Sequence, residues 1–145
     1  VCLFLSAGAI YYQTGKKKVT QLTGLGYQMP VTMVAFTIAS LSMIGIPLFG
    51  GFISKYGIAL GSLEAGNPYF IALIVLSGLL NAAYYLPIIW QAYFVSGPKI
   101  QLKMDAIPFS MLLPIIVTAA GVIYMGIFPG GALTFLGKVV TRFLL

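Results

Sequence analysis

The sequence reads as an all-α, polytopic bundle of about five to six transmembrane helices, and three features support that reading. Hydrophobic residues make up 60% of the 145 residues and charged residues only 7%, whereas soluble domains carry about a quarter charged residues. Mean hydropathy is +1.03. The apolar residues also fall into runs separated by proline- and glycine-rich stretches, which is how helix ends are punctuated.

Charge and composition exclude several functions. The net charge of +6 comes from eight basic residues against Glu64 and Asp105. Most of the lysines lie between apolar runs, as charges flanking membrane helices do, so no nucleic-acid surface is expected. A single cysteine, Cys2, and the lack of histidine leave no disulfide framework and no haem or metal ligand set. No cofactor and no catalytic residue is expected, and any redox chemistry belongs to another subunit.

Residues 1–12, VCLFLSAGAIYY, would rise only about 18 Å as a helix against a hydrocarbon core of about 30 Å. With no basic flank and no small-residue cleavage site, the run is read as the tail of a helix, and the chain as a piece of a longer subunit. Lys16, Lys17 and Lys18 then sit in a glycine-rich connection, placed to meet solvent or lipid headgroups. The run 31–47 is apolar, with Thr32, Thr37, Ser40 and Ser42 scattered around it, a pattern suited to packing.

Gly45, Ile46 and Pro47 stop that helix, and Gly50-Gly51 precedes the next, expected over 52–65. This next helix carries Lys55, the one charge deep inside an apolar run, next to Ser54. At about 100° per residue Ser62 lies over Lys55, while Gly57 and Gly61 form a G-x-x-x-G on another face, suited to helix packing. Two roles fit Lys55. As an intramembrane ammonium it could take and release protons, with Ser54 and Ser62 beside it; near a helix start it could instead snorkel to the interface.

Gly66, Asn67 and Pro68 end that helix, and 69–95 forms the longest apolar run. Its polar residues align: with Ser77 at 0°, Asn81 falls at about 40°, Tyr84 at about 340°, Gln91 at about 320° and Tyr85 at about 80°. Pro87 lies among them and leaves the carbonyl of Ala83 without its helical donor, so a broken helix is expected here. Such a break can line a hydrated pathway, or it can be a plain kink with Ser77 and Asn81 bonding to a neighbouring helix.

Residues 96–107, with Lys99, Lys103 and Asp105, read as a loop, 108–128 as a further span, and 132–145 as an amphipathic or truncated helix. If the spans alternate, three basic residues on one side face four on the other, so positive-inside counting assigns no orientation.

Three segments resemble, in order and spacing, the second half of a known family of membrane subunits. The most specific is GIPLFGGFISK at Gly45 to Lys55; it is supported by Ala7-Gly8, Thr14-Gly15, Leu22, Gly24 and Leu25, and by LNAAYYLPIIWQAYF further on. The family is that of the antiporter-like subunits shared by respiratory complex I, Mrp-type cation/proton antiporters and membrane-bound hydrogenases. The YYLP form at Tyr84 to Pro87 is more similar to the Mrp and hydrogenase branch.

This resemblance implies a second inverted repeat with a discontinuous helix at Pro87, and places Lys55 in a hydrated line of buried lysines and glutamates. The implied function is proton translocation, with or without sodium exchange, in a multi-subunit complex of a prokaryotic cytoplasmic membrane. Its partners would be other membrane subunits, the lipid bilayer, protons and sodium. Many family members carry a charge in the second broken helix, whereas 69–95 has none. A structural or assembly subunit that conducts no ions is therefore the alternative. An unrelated transporter of a small organic substrate is disfavoured by the sparse charge.

Overall fold

The computed structural model describes residues 1–95 and 107–144, so the expected loop over 96–107, with Lys99, Lys103 and Asp105, lies almost wholly outside the described residues. Every regular element among those described is helical: α1 (Cys2–Thr14), a 3-10 turn (Val19–Gln21), α2 (Leu25–Gln28), α3 (Pro30–Ile44), α4 (Gly50–Glu64), α5 (Tyr69–Tyr93), α6 (Phe109–Ile127) and α7 (Gly130–Leu144). By length and composition, α5 and α6 are long and apolar enough to cross a membrane, and α3 is a shorter apolar helix.

The bundle is built around α3, which packs against α1, α4, α5 and α6. Small residues make this possible. Ala35 and Ala39 of α3 meet Ala9 of α1 and Ala119 of α6 in one buried cluster, while Met33 and Phe36 join Ile10, Leu25 and Ala92 in a second. The hydroxyls of Thr37 and Ser40 donate to carbonyls one turn back, Met33 at 2.7 Å and Phe36 at 2.8 Å, and so stay satisfied inside an apolar layer.

The corner between α3 and α4 fixes the rest. Pro30 opens α3, where its missing amide costs nothing. Gly45 closes it in the left-handed region at φ 97°, donating to the carbonyls of Leu41 and Ser42. Leu48 follows at φ 82°, a conformation that costs a side-chain-bearing residue about 1 kcal/mol or more. Helix α4 begins at Gly50, two residues before the sequence-based expectation, and both glycines lie in close packing with neighbouring helices. The Gly51 amide donates to Ser42 Oγ at 2.9 Å, and a Cβ on Gly51 would collide with the Ser42 carbonyl. From the other side, Gly126 of α6 packs against the backbone of Leu48 and Phe49 with no room for a side chain.

One expectation needs correction. Helix α5 is not broken at Pro87; it runs as one 25-residue helix with the proline inside it. The proline lies six residues from the helix end, and regular helix on both sides carries the chain across the lost bond. The polar end of α5 is tied down elsewhere: Gln91 Nε2 donates to Thr23 Oγ1 at 3.0 Å and to the Thr20 carbonyl at 3.3 Å.

Candidate functional site

Helix α3 ends by exposing carbonyls, as every helix does, and these orphan acceptors carry the partial negative charge of the helix dipole. At this end they are met by side chains from two other helices. The Lys55 ammonium, in the second turn of α4, donates to the Met43 carbonyl at 2.8 Å and to the Ile44 carbonyl at 3.0 Å. The Asn81 amide, in the middle of α5, donates to the same Met43 carbonyl at 3.1 Å. The one buried-candidate charge of the sequence and the central polar residue of α5 thus converge on one backbone oxygen.

Two glycines make that convergence possible. A Cβ on Gly78 would lie 3.0 Å from the Ile44 carbonyl and 3.6 Å from Lys55 Nζ, so a side chain there would push α5 away from the end of α3. A Cβ on Gly45 would meet the lysine stem at 3.0 Å. Lys55 is half-buried, and it lines a cavity of about 400 Å³ between α4 and α5 with Phe52, Tyr56, Ile74, Gly78 and Leu79. Among the described residues no cluster of His, Cys, Asp or Glu could hold a metal.

The other candidate residues are arranged differently. Ser54 and Ser62 donate to carbonyls of their own helix, Gly50 at 3.3 Å and Ala59 at 2.8 Å, so the expected alignment of Ser62 over Lys55 yields no bond between them. Ser77 and Pro87 are exposed. Tyr84 and Tyr85 pack edge to face at 5.1 Å, and Tyr85 also meets Phe36 edge-on at 6.2 Å. Both tyrosines line a second cleft, on the α1 side of α5. Of the predicted stripe only Asn81 reaches Lys55's partner, and Gln91 anchors the connection between α1 and α2.

Gly57 and Gly61 face away from the described helices. Both are exposed, and a Cβ on either would meet nothing within 4 Å, so no described helix packs on that face. Close contact between helices is made at Gly26, Gly50, Gly51, Gly78 and Gly126, at other faces of the bundle.

The sequence over residues 1–81 matches the family model described as NADH:quinone oxidoreductase/Mrp antiporter, transmembrane. The chain belongs to this family. It is 39% identical over 138 residues to the NADH-quinone oxidoreductase subunit N of Desulforudis audaxviator, covering 87% of this chain and 28% of that protein. To the F(420)H(2) dehydrogenase subunit N of Methanosarcina mazei it is 27% identical over 135 residues, covering 87% of this chain and 27% of that protein. Its fold superimposes with a TM-score of 0.76 on a chain in the structure of the Mrp complex from Dietzia sp. DQ12-45-1b, at 23% identity, covering 92% of this chain and 32% of that one. The chain therefore spans less than a third of each of these proteins. Membership makes the chain part of an antiporter-like integral membrane subunit, and GIPLFGGFISK lies within the matched region.

Proposed function

We propose that the chain is the part of a proton-translocating subunit that carries its lysine relay, working beside other membrane subunits in a complex of the quinone-oxidoreductase or Mrp type. One observation carries this reading: an ammonium seated on the carbonyl end of a helix, with Met43 and Ile44 as its hydrogen-bond acceptors. A lysine ion-paired to a carboxylate is held in one state. Carbonyls at a helix end carry only a partial negative charge and hold an ammonium less firmly than a carboxylate would, so this lysine can give its proton to water in the adjacent cavity and still keep its place. Asn81 keeps the Met43 carbonyl partnered while the lysine changes state, and so lowers the cost of the neutral form. The residues proposed to carry the step are Lys55 and Asn81. Whether sodium is exchanged for protons belongs to the assembled complex.

A second reading rests on the same contacts. Capping two orphan carbonyls is a structural task in itself, and Lys55 would then hold the α3–α4 corner without conducting. Arginine separates the two readings, because guanidinium can donate to both carbonyls but does not release its proton at physiological pH. In the full-length subunit within its complex, Lys55→Arg is expected to assemble normally and to lose most pH-gradient formation in sealed vesicles, and Lys55→Ala to lose it as well. Wild-type pumping by Lys55→Arg would establish the capping role and end the relay proposal.

A further inference from the structure

The second cleft, on the other side of α5, has a different character. It holds about 400 Å³ between α1, α3, α5 and the connection after α1. Its body is apolar, lined by Leu3, Phe4, Ala7, Ile10, Phe36 and Ile88. Its mouth is basic, formed by Lys16 and Lys17. Lys16 is half-buried, and Lys17 is held with its ammonium 5.6 Å from the centre of the Tyr11 ring, a cation–π contact that places the charge at the end of α1. None of the lining residues is acidic.

We infer that this cleft binds one acyl chain of an anionic phospholipid, with Lys16 and Lys17 holding its phosphate. The charge agrees, since basic pockets between membrane helices take anionic headgroups, and each interfacial lysine contributes to holding them. A free phosphate would leave the apolar body unfilled, and a zwitterionic lipid would gain little from two lysines without a carboxylate.

The test uses the full-length subunit in its complex, reconstituted in phosphatidylcholine nanodiscs that contain a small fraction of a probe lipid with a photoreactive group on its acyl chain. Two probes are compared, one phosphatidylglycerol and one phosphatidylcholine, and labelled peptides are mapped by mass spectrometry. The phosphatidylglycerol probe is expected to label α1 around Ala7 and α5 around Ile88 at least tenfold more than the phosphatidylcholine probe. Lys16→Gln together with Lys17→Gln should weaken the phosphatidylglycerol signal by roughly 30-fold, as loss of two interfacial lysines predicts. Ala7→Trp, which fills the cleft and keeps the lysines, should also remove the label. Equal labelling by the two probes would make this ordinary boundary lipid and overturn the proposal. Absence of label from both segments would overturn it too, in favour of a protein segment filling the cleft, as would full labelling of the double lysine variant. If a variant fails to assemble, the comparison of the two probes on the wild-type complex still decides.

Discussion

Lys55 and Asn81 each stood out in the sequence, the first as a charge in an apolar run and the second as the centre of a polar stripe. Their meeting point did not, because Met43 and Ile44 take part through backbone carbonyls that their side-chain identity does not encode. The signal that could have found it is Gly78, three residues before Asn81 and on the same helical face, where small size signals close approach of another backbone. Gly78→Ala places a methyl 3.0 Å from the Ile44 carbonyl and 3.6 Å from Lys55 Nζ, so it should displace the ammonium, cost about 1 kcal/mol of stability and slow proton translocation. Gly121→Ala on α6 meets nothing within 4 Å and should instead raise thermal stability slightly, since alanine is the better helix former by up to about 1 kcal/mol. Thermal melts and pH-gradient assays on the full-length complex read both, and a neutral Gly78→Ala would mean that the α3–α5 contact is looser than the 3.0 Å approach indicates.

Among the elements, helix stops were legible and helix continuity was not. Gly45 to Pro47 and Gly66 to Pro68 interrupt the helices where glycine and proline said they would. Pro87 misled, because one lost backbone bond, at about 3 kcal/mol or more, is too little to end a 25-residue helix that gains along the rest of its length. An unbroken α5 changes what Pro87 is expected to do. It lies six residues beyond Asn81, about 9 Å along the axis, on an exposed surface. Pro87→Ala should therefore restore the bond to the Ala83 carbonyl, slow amide exchange over 84–91 and raise the melting temperature, with little change in translocation. Asn81→Leu should do the reverse, impairing translocation by removing the second donor to Met43. Equal impairment by both would return the proline to the proton path and imply that α5 opens in the working complex.

For the whole molecule, the decisive feature is how much apolar surface faces outward. The most apolar 18-residue window of α5 contains no buried residue, and Leu79 and Leu80 are each 63% exposed. In the relatives this chain corresponds to under a third of the protein, so outward faces of this kind are where further helices of the subunit, or neighbouring subunits, would lie. Helix α4 offers the best-formed of them. It is 15 residues long, about 22 Å, and its Gly57 and Gly61 leave a smooth strip on which a second backbone could lie at close range. A Cβ at position 61 has no neighbour within 4 Å among the described residues, so the first atom of an added side chain points into open space and the internal packing of α3, α4 and α6 should survive the change. A partner helix resting on the strip would be forced outward by the added side chain. Gly61→Leu in the full-length subunit is accordingly expected to lower the yield of assembled complex in mild detergent while the subunit itself still reaches the membrane. Unchanged yield and melting temperature would show that lipid, which yields to a leucine at no cost, covers this face instead.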